Sequence, residues 1–470
     1  MFMKSRLGSS ALFCMLITSC ILFAYTHPRY GGVIRLHVKE LPVSLDPVAC
    51  RDERDMPVFG LLYRTIFECR ADGTVASRFF TAYRRDGESW LLTPHPAKTS
   101  NGQAIGLDVL RQCIERGIAQ QSFVSMTART MLFGGDDFVS GKESALPAFE
   151  AQSDGSFILR TRGPQPYLPH VLSRSPFFVA TESGGEYFGN GPFKLSAPTA
   201  PGAMNLVANQ MSTEPFLERV EVVTGDEGSS VIEIVNCSSP HSSGGRDVIG
   251  NGGIPRTLLL GLNPLNRPFE DATVRRNFLG SLAPQKLILP SETGTIRAKC
   301  SYLPQMIAAF PAVSSLRPEA PAVPAQIICK SHEINIGQLA PAFPPGVELI
   351  PLQDEDFKAR LNSGDYQAFL IEYQHGFLEP ALDLLELLSI TKQSDPIMLD
   401  AENRLTETMR MEDRSAIMEI VLAVEKTLAE SGLLFPLAEF TPAIPIDNRL
   451  RDVTLNLFWN PVIENCWIGE

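Results

Sequence analysis

The signatures of most catalytic and metal-binding proteins are missing from this sequence of 470 residues. It contains no His-Glu-x-x-His pair, no Gly-x-Ser-x-Gly elbow and no Gly-rich loop ending in Gly-Lys-Ser/Thr. The seven histidines are scattered, and none of the nine cysteines forms a Cys-x-x-Cys pair. Zinc ribbons and thioredoxin-like motifs therefore have no support. The sequence predicts no catalytic residues, no cofactor and no metal site.

Positive charge is also scarce. The formal net charge is -12, and no run of lysine or arginine offsets it locally. Binding to nucleic acid requires a concentrated basic surface, so no nucleic-acid partner is expected. The composition, 44% hydrophobic and 20% charged, is typical of a globular protein. The length exceeds what one hydrophobic core usually supports, which predicts two or more lobes.

The first 25 residues have the order of an export signal, with charge before an apolar segment. Lys4 and Arg6 precede residues 11–25, an apolar stretch of about 15 residues, whereas a membrane-spanning helix needs roughly 20. Residues 17–20 (Ile-Thr-Ser-Cys) resemble the bacterial lipobox, which makes Cys20 the predicted lipidation site. A signal cut near Ala24 and an uncleaved anchor are the alternatives. All three place the bulk of the chain outside the cytoplasm.

The cysteines outside this leader number seven, an odd count. In an exported protein some of them can pair, and Cys50 with Cys69 is the nearest couple in sequence. Spacing does not reveal connectivity, and buried free thiols are the alternative for most of them.

Hydrophobic patterning along the chain mixes strand and helix periods. Apolar and polar residues alternate over 33–39, as in a half-buried strand, whereas residues 107–118 and 417–428 repeat apolar residues at helical spacing. Gly432 is expected to end the second of these helices in a left-handed conformation. The apolar run 256–263 (RTLLLGLN) predicts a strand that crosses between lobes. Because the chain has no repeat period, this mixture of strand and helix patterns favours an α/β or α+β architecture.

Seven segments, in order along the chain, resemble extracellular solute-binding family 5, the periplasmic oligopeptide- and dipeptide-binding proteins of bacterial ABC importers. They are residues 31–47, 58–73, 90–109, 189–195, 263–282, 363–373 and 444–446. The closest short match is GNGPFKL at 189–195, which is similar to the GTGPY-type strand of the family. The segment 263–282 matches position by position at Asn263, Pro268, Phe269, Asp271, Val274 and Arg275.

The resemblance implies an α/β fold of the type II periplasmic-binding-protein class, in which two lobes joined by two hinge segments trap a ligand between them. Lobe one would combine residues 31–257 and 437–470, with residues 56–174 as the extra subdomain of the large peptide-binding class. Lobe two would be residues 258–436. The two hinges would be residues 256–263 and 437–446.

The resemblance also implies where the ligand binds. In relatives, an aromatic residue begins the loop after the strand that corresponds to residues 363–373. An Asp three positions later accepts the ammonium group of the peptide, and an acid-Pro pair closes the loop. Here the aromatic residue is Tyr373 and the closing pair is Glu379 with Pro380, but Gly376 stands where the Asp would be.

This departure changes the expected chemistry, because a buried ammonium without a counter-charge costs several kcal/mol. Either another loop residue replaces the Asp, or the ligand is not held by a free amino terminus. Arg51, on an early loop that lines the cleft in relatives, would suit a carboxylate. The candidate ligand-binding residues are therefore Tyr373, Gln374, His375, Gly376, Glu372, Glu379 and Arg51. An exposed loop histidine and a surface arginine are the alternatives for His375 and Arg51.

The function implied is that of a solute-binding component of an ABC importer. It would be a periplasmic monomer, anchored by lipid or leader at the outer face of the inner membrane. It would deliver a peptide or peptide-like ligand to the permease and ATPase complex. There are three alternatives. The first is the same fold carrying a metal chelate, an oxidised thiol peptide or a sugar. The second is a surface-anchored interaction or chaperone-like protein, and the third is an exported hydrolase.

Overall fold

The computed structural model describes residues 28, 30–50, 52–70, 72–196, 202–212, 215–224, 231–234, 246–249, 253–286, 294–298, 301–303, 323–330, 339–391, 395–442, 444–456 and 460–469. The expected leader, its Cys20 and the candidate Arg51 lie outside these residues.

Several helices begin at a side-chain cap, and two end at a left-handed glycine. In the described part of the chain the helices are α1 (Asp52–Leu62), α2 (Leu107–Ile118), α3 (Phe123–Met131), α4 (Gly135–Val139), α5 (Leu168–Val171), α6 (Ala272–Gly280), α7 (Asp354–Ser363), α8 (Pro380–Thr391), α9 (Pro396–Thr408) and α10 (Arg414–Ser431). The carboxylates of Asp271, Asp395 and Asp413 accept hydrogen bonds from the first amides of α6, α9 and α10. Gly432 ends α10 with a φ of 65°, which confirms the expected stop.

The strands are short and spread over the whole described chain. They are β1 (Val33–Val38), β2 (Arg64–Thr65), β3 (Glu68–Cys69), β4 (Val75–Ala76), β5 (Phe80–Asp86), β6 (Ser89–Pro94), β7 (Phe149–Ala151), β8 (Phe157–Arg160), β9 (Phe178–Ser183), β10 (Glu186–Gly189), β11 (Phe193–Leu195), β12 (Ala203–Ala208), β13 (Arg219–Thr224), β14 (Val231–Ile234), β15 (Arg246–Ile249), β16 (Arg256–Leu262), β17 (Gly294–Ala298), β18 (Ala325–Lys330), β19 (Val347–Leu352), β20 (Ala368–Tyr373), β21 (Leu434–Pro442), β22 (Ile444–Asp447), β23 (Leu450–Arg451), β24 (Thr454–Leu455), β25 (Pro461–Val462) and β26 (Trp467–Ile468).

The first large sheet has the strand order β11-β12-β13-β1-β14-β22-β15. Strand β1 lies near its middle, parallel to β13 and antiparallel to β14, and it buries Ile34, Leu36 and Val38 as the alternation predicts. Strand β22, from the C-terminal part of the chain, lies between β14 and β15. The chain therefore returns to its first sheet after building the second one.

The second large sheet has the order β17-β21-β16-β20-β18-β19. Strand β16 is hydrogen-bonded on both sides, to β20 and to β21, and all of its residues after Arg256 are buried, which suits its apolar run from Leu258 to Leu262. Residues 256–262, which the sequence predicts as a strand, form β16 of this sheet. Along the chain, β15 of the first sheet is followed by β16 of the second, and β21 of the second is followed by β22 of the first. We call these two changes of sheet the crossings.

The hydrophobic cores do not follow the expected limits of the extra subdomain. One core surrounds the first sheet and includes Phe59 and Tyr63, from α1 and the residue after it. A second core is continuous from the four-stranded sheet β5-β6-β8-β7 and helices α2 and α3 to helices α8, α9 and α10. Helix α1 therefore packs with the first sheet, although part of it falls within residues 56–174.

Cys50 and Cys69 do not form a disulfide, because Cys69 carries a free thiol. Burial raises the pKa of the Cys113 thiol to about 11 and that of the Cys466 thiol to about 12. Such thiols stay protonated and unreactive at neutral pH. Among the described residues, no helix has both the length and the apolar character needed to cross a membrane.

The close approach of β16 to β20 predicts that a side chain at Gly261 lowers stability. A Cβ at Gly261 would lie 2.1 Å from ring carbons of Phe369, its direct partner on β20. Gly261→Ala is therefore expected to lower the free energy of unfolding by about 1–3 kcal/mol through overpacking. Urea denaturation measures the change. The matched control is Gly60→Ala in α1, where an added Cβ meets nothing within 4 Å.

We expect Gly60→Ala to leave stability unchanged or to raise it by up to about 1 kcal/mol, since alanine is the better helix former. Equal urea midpoints for Gly261→Ala and Gly60→Ala would contradict the close packing of β16 against β20.

Candidate functional site

A cavity of about 290 Å³ lies between the two large sheets. We call it the interlobe cavity. One side of it is formed by Met56 of α1, residues 173–175 and Asn460. The other side is formed by residues of β18, α7, β20, α8 and the loop between β20 and α8, namely Lys330, Phe357, Lys358, Leu361, Ile371, Glu372, Tyr373, Gln374, Glu386 and Ile390. The cavity thus has walls from both halves of the molecule.

Tyr373, the last residue of β20, lies at the cavity wall but is only 4% exposed. Its hydroxyl lies 3.1 Å from the backbone oxygen of Asp383 and 3.1 Å from Oε2 of Glu386. Burial, and then the nearby carboxylates of Asp383 and Glu386, raises the pKa of Tyr373 well above its usual value. The phenol therefore stays protonated and serves as a fixed wall with a hydrogen-bond donor directed to α8.

His375 is not an exposed loop residue, since its side chain is fully buried. One ring nitrogen, Nε2, lies 2.6 Å from Oγ1 of Thr257 on β16, and the other, Nδ1, contacts the carboxylate of Asp383. The ring also packs edge-on against Tyr373 with centroids 4.9 Å apart. Both nitrogens are thus engaged within the protein. His375 is a structural element of the loop in this structure and does not line the interlobe cavity.

Asp383, in the first turn of α8, is the residue that organises this loop. Its Oδ1 accepts hydrogen bonds from the backbone N–H groups of Gly376 and Phe377, at 2.9 and 3.1 Å, while Oδ2 contacts His375. The carboxylate is fully buried. A buried carboxylate needs such partners to offset its lost hydration. The sequence analysis did not select Asp383. The only sequence feature that marks Asp383 is its position one turn after the acid-Pro pair.

Glu372 and Gln374 flank Tyr373 and both line the cavity. Glu372 forms a salt bridge with Arg256 of β16, with Oε1 2.5 Å from Nη1. This pair joins two neighbouring strands of the second sheet, where Glu372 lies opposite Leu258. The carboxylate of Glu372 therefore already has a cation of the protein itself.

The space beside Gly376 is filled by the far ends of two charged side chains. A Cβ at this position would lie 1.7 Å from Nη1 of Arg174 and 2.5 Å from Oε2 of Glu386. Arg174 lies with its guanidinium carbon 5.1 Å from the ring centroid of Phe377 and with Nη1 4.0 Å from Oε2 of Glu386. A cation therefore occupies the volume into which an aspartate at 376 would extend. The sequence analysis missed Arg174, because nothing in its neighbourhood marks it as part of this site.

Glu379 lies at the start of α8 and does not line the interlobe cavity. Its Oε1 is 3.9 Å from Nε2 of His170, whose Nε2 lies 3.3 Å from the backbone oxygen of Gly73. Burial raises the pKa of the Glu379 carboxyl, and it lowers the pKa of His170. Of the predicted ligand-binding residues, Glu372, Tyr373 and Gln374 are brought to the cavity, whereas His375 and Glu379 face other partners.

Metal binding has no candidate site in the described ranges, where no group of three or more His, Cys, Asp or Glu side chains converges. The side chains that line the interlobe cavity offer hydrogen bonds, charges and apolar contacts to a ligand.

The role of Asp383 predicts a large loss of stability in Asp383→Ala. The substitution leaves the N–H groups of Gly376 and Phe377 and one nitrogen of His375 buried without their acceptor. We expect the free energy of unfolding to fall by about 3 kcal/mol or more. The control is Asp365→Ala at an exposed position after α7, which we expect to change stability by about 0.5 kcal/mol or less. Similar urea midpoints for both variants would be inconsistent with this anchoring.

The pKa of Glu379 predicts a pH dependence. Above its raised folded-state pKa, the ionised carboxylate carries a desolvation cost that the unfolded chain does not have. Below the usual value of 4.5 both states are protonated and the cost vanishes. The stability of Glu379→Gln relative to the natural protein is therefore expected to be greater at pH 7.5 than at pH 4.5, in urea titrations. A difference that is constant between these pH values, or that reverses, would contradict the burial of a charged Glu379.

Comparison with solved structures finds proteins of similar fold over nearly the whole chain. The murein tripeptide-binding protein MppA of Escherichia coli is 15% identical, with a TM-score of 0.71 over 95% of this chain and 100% of that one. OppA of Haemophilus influenzae, in complex with the peptide RPPGFSPFR, is 13% identical, with a TM-score of 0.69 over 94% and 99%. NikA of Brucella suis, in complex with Fe(III)-EDTA, is 12% identical, with a TM-score of 0.70 over 94% and 100%.

No protein-family model matches the sequence, and no curated protein matches it either. At such low identity the structural likeness establishes the fold and leaves the ligand open. The structural likeness confirms, at the level of the fold, the family resemblance found in the sequence. The chain has the two-lobe α/β fold of the periplasmic peptide-binding proteins.

Proposed function

We propose that the protein is the solute-binding component of a bacterial ABC importer, capturing a peptide or peptide-like ligand between its two lobes. The observation that carries the proposal is the interlobe cavity, to which both halves of the molecule contribute side chains. The chain passes between the two large sheets at two short crossings, and small dihedral changes there would let the clamp close. The captured solute would then pass to a permease and ATPase complex in the inner membrane.

The lining of the cavity suits an amphipathic solute. Five apolar side chains give it hydrophobic area, namely Met56, Phe357, Leu361, Ile371 and Ile390. Ser173, Ser175, Gln374 and Asn460 add neutral hydrogen-bonding groups. Pockets for small molecules combine these features, and backbone amides of a peptide would satisfy the polar groups.

The size of the cavity favours a short ligand. Its volume of about 290 Å³ is at the lower end of the range of about 300–1,000 Å³ seen for small-molecule pockets. It corresponds to roughly ten molecules of liquid water. We therefore favour a dipeptide- or tripeptide-sized solute over a long peptide. The binding role requires no bond-making step, and we propose no catalysis.

The lobes are best divided at the crossings between the sheets. We propose that lobe two runs from Arg256 to Pro442, which shifts each expected limit by a few residues. Lobe one would comprise the chain on either side, with helix α1 in its core. The extra subdomain would then begin after α1 and continue to about residue 174.

The location of the protein is proposed from the sequence of the leader. Residues 1–25 would direct export to the periplasm, with a lipid on Cys20 holding the protein at the outer face of the inner membrane. The protein would act as a monomer, because a clamp of this kind needs no second copy to enclose its ligand.

Native mass spectrometry of the protein, purified without denaturant, tests the proposal. A bound solute of peptide or peptide-like mass is expected, and it should be released when the protein is unfolded. Met56→Trp places a larger side chain at the wall of the cavity, and we expect it to lower the bound fraction about tenfold or more. The control is Met211→Trp, at a side chain that is 52% exposed and does not line the cavity.

Retention of the solute by Met56→Trp, at the level seen in the control, would contradict binding in the interlobe cavity. A bound species without peptide character would overturn the peptide cargo and leave the fold as a carrier of another solute.

A further inference from the structure

The two sides of the interlobe cavity differ in their uncharged side chains. Four of the five apolar side chains of the lining lie on the side formed by α7, β20 and α8, namely Phe357, Leu361, Ile371 and Ile390. Three of the four serine, asparagine and glutamine side chains lie on the opposite side, namely Ser173, Ser175 and Asn460. A ligand in the cavity therefore meets apolar surface on one side and neutral hydrogen-bonding groups on the other.

Ser175 carries a buried hydroxyl that the protein does not use. The residue is 6% exposed, and its side chain makes no hydrogen bond within the described part of the chain. The hydroxyl of Ser173, by contrast, donates a hydrogen bond to the backbone oxygen of His170 at 2.7 Å. Buried polar groups nearly always have a partner, because an unpaired one has lost its hydration without compensation. Since Ser175 lines the cavity, its missing partner is a group that enters the cavity.

Asn460 is in the same situation on the same side of the cavity, where it is 9% exposed. Its backbone is fixed by Asn456, since its N–H donates to Oδ1 of Asn456 at 3.0 Å and its carbonyl oxygen accepts from the Asn456 N–H at 2.9 Å. The side-chain amide of Asn460 has no hydrogen-bond partner among the residues that the structure describes. It offers two N–H donors and one carbonyl acceptor. A fixed backbone thus holds an unused amide at the cavity.

A peptide bond is complementary to these two side chains. Its carbonyl oxygen can accept from the serine hydroxyl or the asparagine N–H, and its own N–H can donate to either side-chain oxygen. A site built in this way rejects analogues that lack the hydrogen-bonding group, because its buried polar groups then stay unpaired. The apolar side of the cavity gains free energy when it buries a hydrocarbon side chain.

We propose that Ser175 and Asn460 are specificity-determining residues, which bind a backbone amide of the solute while an apolar side chain of the same solute packs on the opposite side of the cavity. This inference rests on the proposed function and names its substrate class. The class is peptides of two or three residues with at least one apolar side chain, such as leucine or phenylalanine. Ser175 and Asn460 select the peptide unit, and the apolar side selects the residue beside it.

Two substitutions separate a ligand-binding role from a structural one. Ser175→Ala and Asn460→Leu each remove a hydrogen-bonding group that the protein does not use. We expect their urea midpoints, measured without ligand, to equal or exceed that of the natural protein, because a buried unpaired group is lost. Each should nevertheless bind peptides about three- to tenfold more weakly, which corresponds to one lost hydrogen bond.

Three pools of ligands measure the binding. The apolar pool contains di- and tripeptides of Leu, Phe, Val and Met, and the polar pool contains those of Ser, Thr, Asn and Gln. In the ester pool each peptide bond of the apolar pool is replaced by an ester, which removes the N–H without adding bulk. Every pool is prepared with free and with acetylated amino termini, so that recognition of a terminus does not affect the comparison.

Binding is measured by native mass spectrometry and titration calorimetry after the endogenous solute has been removed by unfolding and refolding. We expect the natural protein to bind the apolar pool about tenfold more tightly than the polar pool, because the apolar side buries a hydrocarbon side chain. It should bind the ester pool about three- to tenfold more weakly than the apolar pool, because the N–H is missing.

Combining the variants with the esters assigns the hydrogen bonds. In the double variant Ser175→Ala and Asn460→Leu, the difference between the apolar and ester pools should fall below about twofold, because the groups that bind the amide are gone. The preference for the apolar over the polar pool should remain. The matched control is the double variant Ser153→Ala and Asn403→Leu, at exposed positions outside the lining, which should keep both preferences.

The outcomes separate the two claims. Failure of every pool to bind would overturn the proposed function, and with it this inference. Equal binding of peptides and esters, natural affinity in both single variants, or a lowered urea midpoint in both would overturn the roles of Ser175 and Asn460 and leave the function standing. Binding of the polar pool as tightly as the apolar pool would overturn the apolar requirement in the same way.

Discussion

The buried carboxylate of Asp383 is the constraint on which the ligand-facing part of this structure depends. It accepts hydrogen bonds from two consecutive backbone amides and contacts His375, which in turn contacts Thr257 of β16. One side chain at the start of α8 therefore holds the loop after β20 against the strand that follows the first crossing between the sheets.

This arrangement places charged side chains beside the loop. Gly376 lies against the ends of the Arg174 and Glu386 side chains, and Glu386 also contacts the Tyr373 hydroxyl. The lining of the cavity therefore combines apolar side chains, neutral hydrogen-bonding groups and charged groups of both signs.

Much of the fold could be predicted from the sequence, whereas the site could be predicted only in part. The alternation over residues 33–39 predicted a half-buried strand, because period-two burial depends on neighbours within the strand. The apolar run 256–263 likewise predicted a strand, but its partners in the sheet could not be predicted, because they come from distant segments. His375 and Arg174 could not be assigned, because their burial and contacts arise from segments more than a hundred residues apart.

A crystal structure of the protein with the solute that co-purifies with it tests the central claim most directly. The account predicts electron density for one small molecule in the cavity between Met56 and Lys330, with both lobes in contact with it. Density only at a surface outside this cavity would contradict it.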